Sequence, residues 1–295
     1  MRKIAITGVL WAIFSGGVAF AIELHHIHGL ALDPADPRIL YVATHTGLAR
    51  WEEGKGWSLL GEERPDLMGF RVHPKDRRLM VASGHPPPAP SRANPVGVVV
   101  SRDGGRSWQS LALEGKADLH AMALSPADGN TLYGWSVGPE IGLFRLTLND
   151  GRWTRVAARG LDNVFALAAH PREVNHLVAG TRAGLLASRD GGKSWGLLGF
   201  SGVSVTAVEF HPSDPLRLYA YAARSDLGLI ESRDGGKAWS STGFVLGPKD
   251  AVAVLALHPA NPGALFFATF YGDLYYSPDG GRQRRVLVKS GRPAE

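Results

Sequence analysis

The sequence predicts an all-β protein folded as a six-bladed β-propeller, and three observations support this prediction. A segment that contains a turn proline recurs six times, at spacings of 40, 52, 45, 41 and 47 residues, which is the range of periods found in propeller blades. Each repeat holds four short runs rich in Val, Leu, Tyr and Phe, bounded by Gly, Pro and Asp. No stretch after the N-terminal segment has convincing helical periodicity. The six turn prolines are Pro34, Pro74, Pro126, Pro171, Pro212 and Pro259.

Each repeat is predicted to form one blade of four strands, which we name A to D in chain order. Strand A is apolar and ends at the proline turn, as in "LALDP", and strand B follows, as in "RILYVAT". A turn with glycine leads into strand C ("AGLLASRD"), and a "DGG" hairpin leads into strand D ("SWGLLGF"). A ring of blades leaves few exposed sheet edges, unlike an open array of sheets. We expect one propeller domain over residues 22–295, with repeats at approximately 24–62, 63–115, 116–160, 161–201, 202–247 and 248–291.

An eight-residue motif, S-x-D-x-G-x-x-W, lies in the hairpin between strands C and D. It occurs at Ser101–Trp108, Ser188–Trp195 and Ser232–Trp239, with a degenerate copy at Ser277–Arg284 that lacks the Trp. We expect the Asp to accept main-chain N–H groups, the glycines to adopt positive φ and the Trp to pack as an apolar anchor. A catalytic site needs unlike residues that converge on one point, so repetition favours a structural role; a calcium or ligand site is the alternative. The residues concerned are Asp103, Trp108, Asp190, Trp195, Asp234, Trp239 and Asp279.

The first 21 residues have the anatomy of a secretory signal peptide. Arg2 and Lys3 precede an apolar run, and small residues at Ala19 and Ala21 predict cleavage after Ala21. A retained membrane anchor is the alternative. No later apolar segment is long enough to span a bilayer, so we expect a secreted or periplasmic protein with no membrane span after signal cleavage.

The composition excludes several classes of function. Cysteine is absent from the 295 residues, which removes disulfides, thiolate metal sites and cysteine nucleophiles. The formal net charge is +5, but Lys and Arg are interspersed with acidic residues and form no basic stripe. We therefore expect no nucleic-acid partner, and we expect a monomer.

Propeller geometry sorts the eleven histidines between two faces of the ring. We define the first face as the A–B turns and the C–D hairpins, and the second face as the B–C turns and the segments that lead into the A strands. Four histidines occupy the same repeat position, just before the turn proline on the first face, and repetition favours a structural role for them. These four are His73, His170, His211 and His258.

Other histidines belong to the second face, within the first three blades, and have no counterpart in every repeat. His26 and His28 should point to the same side of an extended strand, because side chains alternate with a period of two. Several converging imidazoles would suit zinc, copper, iron or nickel, and we favour zinc or copper. Separate polar residues that line a wet funnel are the alternative. The proposed metal ligands are His26, His28, His45, His85 and His120.

Further polar residues are assigned to the second face. We expect some of them to bind a sugar or an acidic ligand, or to remain solvated loop residues. The Pro-rich insert 84–97 is predicted to be an extended flap over this face, or a spacer. The candidates for ligand binding are Arg182, Arg224, Glu140 and Asn163, with Asp226 beside them, and the candidates for catalysis are Asp118, Asp250, Tyr271 and Asp273.

The repeated octapeptide resembles the Asp-box, or BNR repeat, of sialidases and related propellers. Together with "HIHGLALDP", "YVATHTGL", "MGFRVHP" and "SGHP", it makes the chain similar to a secreted bacterial family labelled glycosyl-hydrolase-like or exo-α-sialidase-like. That resemblance implies a fold more securely than an activity. Sialidases use an arginine cluster and a first-blade aromatic-Arg-Ile-Pro tetrad, whereas the corresponding place here reads "HIHG" and only Arg182 and Arg224 are plausible arginines.

The sequence therefore predicts an exported propeller that acts as a non-catalytic binding or scaffold protein, with a His-rich and metal-binding mouth. Its expected partner is a glycan, a small acidic ligand or an exported protein. A glycoside hydrolase that uses Asp118, Asp250 or Asp273 is the first alternative. A metal-dependent enzyme or metal carrier is the second.

Overall fold

A computed structural model describes residues 22–87 and 93–294. Over these residues the chain forms six antiparallel sheets and no helix, with each sheet built from consecutive strands, which confirms the predicted six-bladed propeller. Within this part of the chain, no helix is long and apolar enough to cross a membrane. The predicted signal peptide at 1–21 and residues 88–92 of the Pro-rich insert lie outside the described residues.

The first three blades contain four strands each. Blade one contains β1 (Ile27–Leu32), β2 (Ile39–Thr44), β3 (Gly47–Glu52) and β4 (Gly56–Leu60). Blade two contains β5 (Asp66–His73), β6 (Asp76–His85), β7 (Val98–Ser101) and β8 (Gln109–Ala112). Blade three contains β9 (Ala117–Leu124), β10 (Thr131–Pro139), β11 (Gly142–Thr147) and β12 (Trp153–Val156).

The last three blades follow the same order, and the sixth gains a short fifth strand. Blade four contains β13 (Val164–Ala169), β14 (Leu177–Thr181), β15 (Gly184–Ser188) and β16 (Gly196–Gly199). Blade five contains β17 (Val205–Phe210), β18 (Leu218–Ala222), β19 (Gly228–Ser232) and β20 (Ser240–Ser241). Blade six contains β21 (Val252–Leu257), β22 (Leu265–Thr269), β23 (Leu274–Ser277), β24 (Arg285–Lys289) and β25 (Arg292–Pro293).

The innermost strands form a closed ring. Each A strand contacts the A strand of the next blade, and β21 contacts β1, so that the last blade meets the first. Leu24 strengthens this closure, because its side chain is fully buried and its main-chain N–H donates to the carbonyl of Gly291 at 2.6 Å. The segment before β1 is thus held in place at the second face.

The core lies between neighbouring blades. Between blades six and one, Trp51 and Phe266 meet edge to face with ring centroids 6.0 Å apart, beside the buried Leu40 and Leu274. Full burial of each such side chain contributes about 1.5–3 kcal/mol. All six residues of β2 are buried, because a blade packs on both of its sides. This explains why B-strand sequences such as "ILYVAT" do not alternate between apolar and polar residues.

The repeated octapeptide forms a closed hydrogen-bonded hairpin. The hydroxyl of Ser101 donates to Oδ1 of Asp103 and accepts the N–H of Gly105, both at 2.8 Å. Oδ1 of Asp103 also accepts the main-chain N–H groups of Arg106 and Ser107 at 3.0 Å. The serine contacts recur in the other copies, at Ser188, Ser232 and Ser277.

The second glycine of the motif allows each hairpin to pack against the preceding blade. Gly105 has φ of +85°, and a Cβ added to it would lie 2.3 Å from Cδ2 of Leu48 in blade one. A Cβ on Gly192 would lie 2.4 Å from Cδ2 of Leu143 in blade three. A larger residue would therefore be excluded twice, by backbone strain and by the neighbouring leucine.

The C–D hairpins and the A–B turns lie on one face, as the repeat geometry predicts. The N–H of Gly104 in the octapeptide donates to the carbonyl of Arg78, which follows the A–B turn of the same blade, at 3.0 Å. The N–H of Gly191 contacts Asn175 in the same way in blade four, at 2.9 Å. These bonds tie the two outer loops of a blade together.

The four repeated histidines hold the A–B turns. Nδ1 of His211 accepts the main-chain N–H groups of Ser213 and Asp214 at 3.3 and 3.2 Å, and its Nε2 donates to the carbonyl of His258 at 3.1 Å. Asp33 has the same place in blade one and accepts two N–H groups through Oδ1. The other three histidines accept turn N–H groups through Nδ1 as well: His73, His170 and His258.

Candidate metal centre at the mouth of the channel

A β-bulge near the start of strand A in every blade determines what faces the mouth of the central channel. In blade one the register shifts between Ile27 and Gly29, which leaves His28 unpaired. The shifts in blades three and four leave His120 and Phe165 at the equivalent position. Bulges redirect side chains, and these three residues line one cavity on the second face.

Three of the predicted histidines form a stack. The ring of His45, from the B–C turn of blade one, lies 4.6 Å from the ring of His26 and 4.5 Å from the ring of His28. The planes of both pairs are within 24° of parallel. Blade one thus presents three of its imidazoles as one group at the channel mouth.

Asp66, at the start of strand A in blade two, joins this stack. One donor atom each from His28, His45 and Asp66 lies within 4.8 Å of the other two. Oδ2 of Asp66 is 3.7 Å from Nε2 of His45. Nε2 of His28 and Oδ1 of Asp66 are buried and have no hydrogen-bond partner. Two strong polar atoms are therefore desolvated without compensation, at a cost of about 1–3 kcal/mol each.

Blades two and three contribute a second group around Asp118. Oδ2 of Asp118 lies 3.1 Å from Nε2 of His120 and 3.8 Å from Nε2 of His85. The opposite carboxylate oxygen, Oδ1, is buried and has no hydrogen-bond partner. Nδ1 of His85 contacts Oδ1 of Asn94, in the Pro-rich insert, at 2.6 Å. All five histidines that the sequence singled out thus belong to two adjacent groups, each with one aspartate.

Burial and the neighbouring imidazoles change the pKa of His28. Burial, together with the nearby His45, His120, His26 and His85, lowers the pKa of His28 to about 3. At neutral pH this imidazole is uncharged, which is the form that binds metals.

The carboxylate in the first group is also destabilised. Burial raises the pKa of Asp66, and this outweighs the nearby His45 and His85, which act in the opposite direction; Asp118 adds a smaller upward effect. Burial therefore penalises negative charge at this position and would favour a cation beside it.

An apolar wall adjoins the histidines. The cavity that His26, His28 and His120 line has a volume of about 520 Å³. Large apolar side chains line the same cavity and are unusually exposed for their type, while Trp135 lies buried at its edge. The second face therefore combines nitrogen and oxygen donors with apolar contact area. The exposed members of this wall are Val137, Ile141, Phe165 and Phe270.

The candidates for catalysis other than Asp118 have different environments. Asp250 accepts the main-chain N–H of Tyr271 at 3.3 Å, and the side chain of Tyr271 is 63% exposed. Asp273 is buried and accepts hydrogen bonds from Lys289 at 2.6 Å and from Tyr275 at 2.9 Å. Burial acts to raise the pKa of Asp273, but these donors hold it below its usual value.

The candidates for ligand binding are only partly brought together. Asn163 lines the same cavity as the histidines. Arg224 forms a two-pronged ion pair with Asp226, at 2.6 and 2.9 Å, on the exposed surface of blade five. Arg182 and Glu140 are exposed and do not line this cavity among the described residues.

Asp66 is the functional candidate that sequence reasoning missed. It stands eight residues before its turn proline, as do His26 and Asp118 before theirs. Asn163 has the same position in blade four. Alignment of the repeats on their prolines would have placed Asp66 in one column with His26, Asp118 and Asn163, which were selected as candidates, whereas Asp66 was not.

No protein-family model matches the sequence, and no curated protein matches it. Solved structures do resemble the chain. A GH74 xyloglucanase from Xanthomonas campestris shares 20% identity over 91% of this chain and 46% of that chain, with a TM-score of 0.61. The structure of YCF48 bound to D1 peptide shares 18% identity over 91% of this chain and 85% of that one, with a TM-score of 0.54.

A third similar structure is the extracellular domain of a putative hybrid two-component system from B. thetaiotaomicron. It shares 15% identity over 92% of this chain and 34% of that chain, with a TM-score of 0.58. The chain thus spans about half the length of the xyloglucanase and about a third of the length of this third structure. At such identities the likeness shows the fold alone, and that fold is the β-propeller.

Proposed function

We propose that this protein is an exported binding propeller that holds a transition metal, zinc or copper, at the mouth of its channel. His28, His45 and Asp66 are its ligands. The observation that carries the proposal is the pair of buried polar atoms without partners, Nε2 of His28 and Oδ1 of Asp66, within a set of donors less than 4.8 Å apart. A bound cation would compensate both atoms at once.

The donor set suits the metals named. Two neutral imidazoles and one carboxylate are typical ligands of zinc and also bind copper. In a tetrahedral zinc site the ligand atoms are about 3.4 Å apart, so the side chains need to approach one another by about 1 Å. Because His45 is exposed, its side chain has room for that movement.

Three protein ligands leave one coordination position for a molecule from solution. His28 lines the same cavity as the apolar wall, so a ligand with both a metal-binding donor and an apolar group would use both features. An exported protein or peptide has this chemistry, and a small acidic ligand or a glycan has part of it. The likeness to the fold of YCF48, which was solved with a peptide, supports a peptide partner.

Location outside the cytoplasm is part of the proposal. It rests on the basic and apolar composition of residues 1–21. We expect the protein recovered from the periplasm or medium to begin at Ile22, and N-terminal sequencing would test this. Recovery of the intact N-terminus from the membrane fraction would instead favour the retained anchor.

Metal titration tests the binding site directly. Tag-free protein stripped with a chelator should take up at least one equivalent of Zn²⁺ or Cu²⁺ in calorimetry. His45→Ala should bind at least one equivalent fewer, while His25→Ala should bind as the wild type does. His25 is a matched control because it lies in the same segment but contacts Glu23 at 3.3 Å. A wild-type protein that takes up neither metal would overturn the proposal.

We place a glycoside hydrolase second. The carboxylates of Asp250 and Asp273 are engaged by donors from blade six itself, and an acid–base pair needs carboxyl groups that face the substrate. Turnover of a labelled glycoside that is lost in Asp118→Asn would reverse this order.

A further inference from the structure

The second face has more side chains that can ligate a metal than one ion requires. Zinc sites in proteins use four ligands, and a catalytic or binding site uses three of them from the protein. His28, His45 and Asp66 meet that requirement. A second group of donors, from blades two and three, then remains beside them: His85, His120 and Asp118.

We propose that these three residues bind a second transition-metal ion, so that the channel mouth holds two ions side by side. This inference rests on the proposed function, because the first ion is the one held by His28, His45 and Asp66. The chemical class of both ions is the same, a divalent zinc or copper ion with nitrogen and carboxylate ligands.

The geometry of Asp118 supports a cation between its neighbours. Its Oδ2 lies at hydrogen-bond distance from Nε2 of His120, 3.1 Å, and 3.8 Å from Nε2 of His85. The donor atoms of these three residues do not all lie within 4.8 Å of one another, so the two partly exposed imidazoles need to approach each other to hold one ion. Its Oδ1 is buried and has no partner. A carboxylate in this position needs a positive partner to offset its desolvation. The two imidazoles that approach it are metal ligands in their neutral form.

The contact with Asn94 leaves Nε2 of His85 able to bind a metal. The amide oxygen of Asn94 can only accept a hydrogen bond, so Nδ1 of His85 must donate in their 2.6 Å contact. The proton is therefore on Nδ1, and Nε2 keeps its lone pair free in the direction of Asp118. Metal-binding histidines are commonly oriented by an outer partner in this way.

The balance of charge also favours two ions. Asp118 and Asp66 each have one buried carboxylate oxygen without a hydrogen-bond partner. A single ion at the first site would leave the carboxylate of Asp118 buried next to it with an unpartnered oxygen. Two divalent ions compensate both carboxylates, and the remaining charge is available to attract an anionic group from a ligand.

The number of zinc ions bound per protein distinguishes the proposed second ion from the proposed first ion. Chelator-stripped, tag-free protein should bind two equivalents of Zn²⁺, measured by calorimetry and by elemental analysis after gel filtration. Asp118→Asn and His120→Ala should each retain one equivalent, and His45→Ala should also retain one. His25→Ala should retain two. Near-ultraviolet circular dichroism of every metal-free variant would establish that the fold is kept.

Other results of the metal titration would contradict one or both proposals. One equivalent in the wild type, unchanged by Asp118→Asn, would overturn the second ion and leave the proposed function intact. No uptake would overturn both. Loss of all binding in a folded Asp118→Asn protein would mean that the donors form a single site, which also overturns the second ion.

Two measurements strengthen the test without removing a ligand. Asn94→Ala should weaken the second equivalent about 10–100-fold and leave the first unchanged, as outer-partner variants do. With Cu²⁺ in place of Zn²⁺, two ions at neighbouring sites should give the half-field resonance of a coupled pair in electron paramagnetic resonance. A spectrum of isolated ions only, from protein that holds two equivalents, would place the second ion elsewhere.

Discussion

The two faces of this propeller use histidine in opposite ways. On the first face, His73, His170, His211 and His258 each accept main-chain N–H groups of an A–B turn through Nδ1. On the second face, Nε2 of His28 is buried without a partner. Burial lowers the pKa of His211 as it lowers the pKa of His28. A lowered pKa therefore does not distinguish the two roles, whereas the presence or absence of hydrogen-bond partners does.

A third cluster meets this criterion at only one of its residues, because Nδ1 of His176 is buried without a hydrogen-bond partner. His170, Glu173 and His176, on the first face, also present donor atoms within 4.8 Å of one another. However, Nδ1 of His170 accepts the N–H of Arg172 at 3.3 Å, which places its proton on Nε2. That Nε2 faces Oε1 of Glu173 at 3.7 Å. The carboxylate of Glu173 is more than half exposed, so this cluster contains one buried nitrogen without a partner but lacks the buried carboxylate oxygen without a partner that both groups of the second face have. We therefore do not assign a metal to it.

Among the variants that test this contrast, His211→Ala should cause the largest change in the free energy of unfolding. His211 is fully buried, and it supports two turn N–H groups and one carbonyl. Loss of these bonds and of the ring should lower the free energy of unfolding by about 2–4 kcal/mol. Chemical denaturation of the metal-free protein would measure it. Metal uptake on the second face should be unchanged.

The control is His211→Asn. The side-chain oxygen of Asn can accept turn N–H groups, as the carboxylate of Asp33 does in blade one, so this variant should recover part of the loss. If His211→Ala has wild-type stability, repetition is no guide to structural importance here.

The sequence was sufficient to predict the blades because their determinants are local. Pro turns, "DGG" hairpins and apolar strands repeat with a constant period, and each repeat depends on its neighbours in the same way. The five histidines of the second face could be selected because they break this repetition. Their convergence could not be predicted, since it depends on a bulge at His28 and at His120 and on the radius of the ring. Asp66 was missed because a single aspartate at the start of a strand is ordinary in a loop-rich sequence.

A smaller change in the free energy of unfolding is expected when one aspartate is replaced by asparagine. The change should be a loss on the first face and a gain on the second. Asp103 accepts four hydrogen bonds within its hairpin, so Asp103→Asn should lower the free energy of unfolding at pH 7 by about 1 kcal/mol. Asp66 has a buried oxygen without a partner, so Asp66→Asn should raise that of the metal-free protein by up to about 1 kcal/mol. The same sign for both variants would contradict the contrast between the faces.

The pH dependence of the first of these variants checks its cause. Burial acts to raise the pKa of Asp103, but the hydrogen bonds from Ser107, Ser101 and Arg106 outweigh it and lower the pKa from 3.8 to about 2. A folded-state pKa below the unfolded value gives stability that is present above pH 4 and is lost as the pH falls towards 2. The difference between wild type and Asp103→Asn should therefore shrink over that range in denaturation experiments.

The smallest effect is expected from His26→Asn, which separates a stacking role from a ligand role. His26 has φ of +54°, a left-handed conformation that Asn adopts more readily than His, and Asn163 occupies the same repeat position with φ of +48°. The free energy of unfolding should thus change by less than about 0.5 kcal/mol.

The effect of the same variant on zinc binding should also be small. The ring of His26 stacks on His45, but His26 lies outside the set of three close donors. Loss of the ring should therefore weaken zinc binding by no more than about tenfold, through the orientation of His45. A loss of more than about 100-fold in calorimetry would instead make His26 a direct ligand, and the contrast would then rest on four donors from blades one and two rather than three.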